Sequence, residues 1–282
     1  MNRRNLEEKF FKGLMITSLL SVLGSLGLIL LTVLKHGIPA LNLAMLTQTP
    51  KGGYYLGEEG GILNAIVGSL YLAGGATLIS LLLGLPIAIY LHFYATRKRV
   101  CEMVRLIMDV LWGIPSIVYG AFAFILMLWL GVRASLLGGI LALAFLELPI
   151  LTRGIDEAFT MVPRALKEAS YGLGATKLET AVKVVIRQTA PVITTAILLA
   201  FGRGIGDAAS VLFTAGFSDR LPDSLLRPVA SLPLAVFFQL ATPFPAVQQR
   251  AYASALVLTA LVLFISIISR VLANRMKKHI IR

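Results

Sequence analysis

Thr152-Arg153-Gly154-Ile155-Asp156-Glu157 opens a polar stretch, Leu151 to Ala190, that interrupts an otherwise intensely apolar chain. It continues through Pro163-Arg164-Ala165-Leu166-Lys167-Glu168-Ala169-Ser170 and Gly172-Leu173-Gly174-Ala175-Thr176-Lys177. Pro163 stands where a helix can begin, because the first turn has no use for its missing N–H. Arg164 to Tyr171 then reads as a short helix, stopped by Gly172 and Gly174. A second helix, Lys177 to Arg187, places Leu178, Val182, Val185 and Ile186 on one face. Two short helices joined at a Gly-rich turn make a compact protrusion, with Lys167, Glu168 and Lys177 at its tip. An ordinary amphipathic hairpin shows the same helical pattern. Spanning a bilayer, however, requires no such segment, so its presence points to a partner.

On either side of this stretch the chain reads as membrane protein. Of its 282 residues 57% are hydrophobic and 14% charged, and the mean hydropathy is +0.83, whereas soluble domains carry about 25% charge. Residues 13–34 contain no charged side chain, and about 20 such residues cross a bilayer as a helix. That run is too long for a signal-peptide core and no small-residue cleavage site follows it, so it reads as an uncleaved span. Six spans are predicted, at 13–35, 62–91, 105–131, 134–151, 190–216 and 251–273, the fourth continuing past Arg153. Segments 36–61 and 217–250 are too polar and too rich in Pro and Gly to cross. Nineteen of the 26 basic residues fall on one side of this layout, including Arg97, Lys98, Arg99, Arg164 and Lys177. The positive-inside rule makes that side cytoplasmic, along with residues 1–12, the loop 152–189 and the tail 274–282. The net charge of +12 is then a topology signal with some contact to anionic lipid, and nucleic acid is not an expected partner.

Other chemistry is sparse. Cys101 is the lone cysteine, which excludes a disulfide framework or a thiolate metal cluster. No Gly-x-x-x-x-Gly-Lys-Ser/Thr loop occurs, so the chain lacks that means of binding ATP. His36, His92 and His279 are scattered at span borders and read as interfacial or lipid-facing. No nucleophile–base constellation suggests an enzyme, and no metal site is expected.

The run Glu168-Ala169-Ser170, three residues, then Gly174-Ala175-Thr176-Lys177 resembles the "EAA" loop of ABC-importer permeases. Further runs are similar to the phosphate-specific subfamily, A type: Gly60 to Ser69, Trp112 to Gly120, Gly202 to Ala208, Phe213 to Phe217, then Asp219 to Pro222 and Leu232 to Leu234. The chain departs from that pattern at Asp207, where Glu is usual, at Gly204, where Ala is usual, and at Arg187, where Pro is usual; Pro191 is expected to take over the last break. The resemblance implies an all-α, six-helix transmembrane bundle with a permease core at 62–273 and a cytoplasmic coupling-helix hairpin. It implies that Glu168, Ala169, Gly174, Ala175 and Lys177 dock on a separate ATPase dimer, which would bind ATP and Mg; no cofactor is expected in this chain. A second homologous permease and an extracytoplasmic phosphate-binding protein complete the implied assembly, in a bacterial or archaeal plasma membrane.

Four ionisable residues fall within or beside apolar runs: Asp109, Glu147, Arg203 and Asp207. Such groups are costly against lipid and normally face a bundle interior in pairs. Arg203 and Asp207 stand four apart, about midway along the predicted fifth span, with Gly202, Gly204 and Gly206 allowing close approach. Either they form a packing pair, or Arg203 lines an anion pathway with Asp207 moderating its grip. A guanidinium fork suits a phosphate edge, yet passage demands weak binding. Asp109 reads as an acid at the start of the third span, favoured by the helix dipole, and Glu147 as a capping or interhelical group. Pro86 and Pro115 mark breaks or kinks. Two other readings remain open: an importer for another oxyanion (molybdate, sulfate, phosphonate), and a stand-alone secondary anion transporter, although no internal repeat is visible.

Overall fold

The structure, a computed structural model, describes residues 3–51 and 60–276. The expectations at Gly57, Glu58 and Glu59, and in the tail at Lys277, Lys278, His279 and Arg282, lie outside the described residues. Every regular element among those described is helical: α1 (Arg3–Ala40), α2 (Leu43–Thr47), α3 (Leu63–Tyr94), α4 (Lys98–Trp112), α5 (Ser116–Trp129), α6 (Leu136–Thr160), α7 (Arg164–Gly172), α8 (Lys177–Ile205), α9 (Leu232–Leu240) and α10 (Pro245–Met276). Five helices are long and apolar enough to cross a membrane, and a bent pair makes a sixth candidate.

That bent pair corrects the predicted third span. In place of one helix at 105–131, α4 and α5 meet at 99°. Gly113 closes α4, and Pro115, at φ −57° and ψ 136°, starts α5 from an extended conformation. The residue before a proline is pushed out of helical geometry, so Ile114 cannot carry the helix through. Pro86, Pro149 and Pro191, by contrast, lie inside unbroken helices. No break therefore occurs at Pro191; the second hairpin helix runs on from Lys177 to Ile205.

The predicted fifth span also ends early. α8 stops at Ile205, and residues 207–231 turn back into the bundle. Val211, Ala215 and Val229 from this segment pack with Leu72 and Ala76 of α3, Tyr119 of α5 and Leu136, Ile140 and Leu143 of α6. Segment 217–250 is thus no simple loop, since Val229, Ala230, Leu232 and Leu234 are fully buried and α9 lies within it. Ser231 accepts a hydrogen bond from Leu234 N to start α9, and Ser135 caps α6 through Gly138 N.

Glycine makes the turn-back possible. A Cβ on Gly68 would lie 1.9 Å from the Ala230 carbonyl oxygen, inside any van der Waals contact. Gly68→Ala is expected to force the segment off α3 at a cost of about 1–3 kcal/mol. The melting midpoint of the solubilised protein should then fall by roughly 2–10 °C; an unchanged midpoint would show that the segment is not seated there.

α6 is the central helix, with buried residues on every turn from Leu136 to Phe159. α1 is the opposite case, exposed along nearly its whole length. It leans mainly on α10, where His36 stacks on Tyr252 at 4.8 Å and Gly37 abuts the Tyr252 carbonyl, while Ala40 at its end packs against the cluster of Met45 and Ile62.

Candidate functional site

The polar stretch forms the expected hairpin, with a different register in its second arm. α7 starts after Pro163, and the turn closes at Gly174, whose φ of +82° favours glycine. Thr176 and Glu179 then form a reciprocal capping box at the start of α8. A wide turn over Thr180–Val185 follows and rotates the apolar face. Ala181 and Val185 are buried against Phe93, Ala158 and Phe159, whereas Leu178 and Val182 are exposed. The predicted single face of Leu178, Val182, Val185 and Ile186 is therefore split.

Glu168, Ala169, Gly174 and Lys177 are exposed and Ala175 is half-buried. Beside them Leu173 is 90% exposed, and Met161, Tyr171 and Leu178 are exposed too. Large apolar side chains displayed among charges mark a protein contact surface. Lys167 is held at the hairpin base, its ammonium 5.5 Å over the Phe93 ring and donating to the Phe159 carbonyl at 3.4 Å. Burial, with the nearby charge of Arg164, lowers its pKa from the ordinary lysine value.

Arg203 and Asp207 come together only loosely. Because α8 ends at Ile205, Arg203 sits in its last turn and not midway along a span. Its Nη2 lies 3.9 Å from Asp207 Oδ1, and its side chain is 55% exposed. Asp207 is buried and occupied elsewhere: Ser210 donates to its Oδ2 through both the main-chain N, at 2.9 Å, and Oγ, at 2.5 Å. The carboxylate holds the turn-back, and the guanidinium faces an open cavity of about 400 Å³ between α8 and α10, mainly apolar (Leu198, Leu199, Val262, Ile265) with the hydroxyls of Thr195, Ser266 and Ser269.

Glu147 is fully buried and takes the expected interhelical role, accepting from Thr77 Oγ1 of α3 at 2.7 Å. Its other oxygen has no partner among the described residues and presses on Gly204, where a Cβ would lie 2.0 Å away. Asp109 corrects its expected place: it lies in the last turn of α4, where the helix dipole disfavours an acid, and Arg153 Nε donates to it at 2.7 Å.

Sequence reasoning passed over the densest ionic cluster among the described residues. Asp156, 4% exposed, accepts from Arg105 Nε at 2.8 Å, Arg105 Nη2 at 3.0 Å and Arg153 Nη1 at 3.0 Å. His92 Nε2 lies 2.8 Å from Asp156 Oδ1 and 3.1 Å from its carbonyl oxygen. Both neighbours are acceptors, which fixes a proton on that nitrogen. The His92 side chain is only 9% exposed and turned onto Asp156 and Phe159, so the lipid-facing alternative fails there. The one local signal was Arg153 three residues before Asp156; His92 and Arg105 are brought in from other helices.

Residues 80–278 match the family described as binding-protein-dependent transport system inner membrane component. The chain belongs to that family. Its relatives include the phosphate transport system permease protein PstA of Haemophilus influenzae, 34% identical over 275 residues, covering 97% of this chain and 96% of the relative. PstA 1 of Mycobacterium tuberculosis is 38% identical over 212 residues, covering 74% and 69%. Among solved structures, a bacterial alginate ABC transporter superposes with a TM-score of 0.65 at 12% identity, covering 96% of both chains. The inward-facing MetNI methionine transporter gives 0.61 at 17% identity, covering 76% of this chain and 95% of that one. At such identities the structures establish the fold alone, an all-α membrane bundle. A family member is a multi-pass membrane protein, which accounts for the exposed leucines of α1 and the apolar faces of α4 and α5.

Proposed function

We propose that this chain is the A-type permease subunit of an ATP-driven importer for inorganic phosphate, working beside a second homologous permease. An ATP-binding-cassette ATPase dimer, on separate chains, binds ATP and Mg and docks on the α7–α8 hairpin through Glu168, Ala169, Gly174, Ala175 and Lys177. An extracytoplasmic binding protein delivers phosphate, and Arg203 offers it a cation on the way through. Both termini and the hairpin lie in the cytoplasm of a bacterial or archaeal cell. The observation that carries this reading is the resemblance to phosphate permeases over 97% of the chain, supported by a hairpin whose apolar side chains have nothing to cover them.

The test joins topology to transport. A reporter inserted after Asp223 should be reached by an impermeant probe from outside, and one after Glu179 should not; the reverse pattern would overturn the orientation. The isolated protein should carry an ATPase with it, and the reconstituted assembly should take up radioactive phosphate in an ATP-dependent way. Uptake blocked by excess sulfate or molybdate and not by phosphate would assign another oxyanion as cargo. Transport without any ATPase would make the chain a secondary carrier.

A further inference from the structure

We propose that three consecutive residues, His92, Phe93 and Tyr94, are the transmission element of this permease: they join the ATPase-docking hairpin to α4, with Asp156 as the latch between them. The inference rests on the proposed docking of an ATPase at that hairpin. It assigns positioning roles to residues that lie beneath two lysines of the hairpin and do not line the cavity beside Arg203.

The three side chains divide the work. Phe93 lies under the ammonium of Lys167, on the first hairpin arm, at 5.5 Å from ring centroid to nitrogen. Tyr94 lies under that of Lys177, at the start of the second arm, at 5.6 Å. His92 reaches the other way, to Asp156. One short wide turn, Tyr90–Tyr94 at the end of α3, therefore holds both arms of the hairpin and the ionic latch. Phe93 and His92 also meet the ring of Phe159 edge-on, at 6.3 and 5.6 Å, so the turn is wedged against α6 with little room to absorb a displacement.

The latch is what fastens α4. This helix buries only Met108, and its junction with α5 is bent through 99°. It is tied down twice in opposite charge order: Arg105 to Asp156, and Asp109 to Arg153 of α6. A weak thiol contact from Cys101 to the Leu91 carbonyl, at 3.7 Å, adds little. Charge-assisted hydrogen bonds of 2.7–3.0 Å are lost within about an ångström of extra separation. When His92 is drawn off with a moving hairpin, Asp156 loses one of its three donor residues. Arg105 and Arg153 are left to share it, with Asp109 and Glu157 competing for Arg153 at 2.7 and 3.6 Å. α4 can then swing about Gly113 and Pro115. An event on the hairpin thus reaches α4 by way of α3 and α6.

The test uses the assembled importer in nanodiscs and in proteoliposomes, with three permease variants. Phe93→Leu with Tyr94→Leu removes the two ring faces and keeps apolar bulk; His92→Leu removes the bond to the latch; Tyr94→Phe keeps the ring. Two quantities are read: phosphate moved per ATP hydrolysed, and hydrogen exchange of the 98–112 segment with and without a non-hydrolysable ATP analogue. The ratio should fall by about fivefold or more in the first two variants, the scale of one lost cation–π contact or hydrogen bond of about 1 kcal/mol, and stay near the parent's in Tyr94→Phe. The ATP-dependent change in α4 exchange should vanish with it. If uptake and hydrolysis decline together at an unchanged ratio, the residues only hold the fold and the proposal is overturned. Loss of the ratio in Tyr94→Phe as well would also overturn it, because the ring face is retained there. Should the parent move no phosphate, the cargo assignment fails, and the exchange measurement still decides this proposal.

Discussion

Arg203→Gln is expected to lower phosphate uptake by roughly 10- to 100-fold, the scale of a charged hydrogen bond worth about 1.5–3 kcal/mol, in complexes that still assemble. The geometry sharpens what the double variant means. Were Arg203 held only as the counter-ion of Asp207, neutralising both would restore function, as replacing both members of a buried pair often does. Yet the pair is long at 3.9 Å, Asp207 is committed to Ser210, and the guanidinium is more than half exposed over a cavity. Arg203→Gln with Asp207→Asn should therefore stay inactive, and Arg203→Lys should recover little, since a point charge lacks the planar fork. Asp207→Asn alone should weaken the turn-back through Ser210, lowering the yield of folded protein before it touches transport. Uptake at the parent's level by the neutral double variant would reduce Arg203 to a packing residue.

The second large effect is at the hairpin. Gly174→Leu permease, purified from membranes, should bring down about tenfold less ATPase than the parent, because a side chain held at positive φ costs roughly 1–2 kcal/mol. Open space surrounds Gly174, so no steric clash with the rest of the bundle confuses the result. Glu168→Lys, on the exposed side of α7, should impair recruitment through charge alone while insertion remains normal. Full recruitment by both would leave the protrusion without a partner.

The hairpin was legible because its signals are local: a proline start, a glycine stop and charges where apolar residues surround them; the Thr176–Glu179 capping box emerged only in the structure. What could not be read is how far an apolar run continues as helix. Val211, Leu212 and Phe213 carry the hydropathy of the fifth span straight past Ile205, and hydropathy reports transfer from water, not the path of the backbone. The same blindness hid the α4–α5 corner, where Pro115 reads as a kink as readily as a break, while Pro86 and Pro149 pass unnoticed inside helices. The register of α8 was misjudged because a wide turn at 180–185 departs from the 3.6-residue period. The Asp156 cluster was hidden for a different reason. Two of its donors, His92 and Arg105, sit 64 and 51 residues away in sequence, and pairing at that range is decided by packing. Arg203 and Asp207 were expected on one face of a continuing helix, yet Asp207 lies beyond its end at Ile205, and spacing alone could not say that Ser210 would claim the carboxylate.

The lean of α1 on α10 sets an order of events for biosynthesis. α1 pairs with a helix made well after it, through His36 and Tyr252. At about 5–20 residues per second, the roughly 210 residues between them take about 10–40 s to emerge. Throughout that interval most of α1 is left to lipid or to the insertion machinery, since only its end at Ala40 packs on earlier-made residues such as Met45 and Ile62. A message cut short anywhere before Tyr252 would release a chain in which α1 lacks its partner helix, an exposed mark by which quality control can recognise an unfinished subunit.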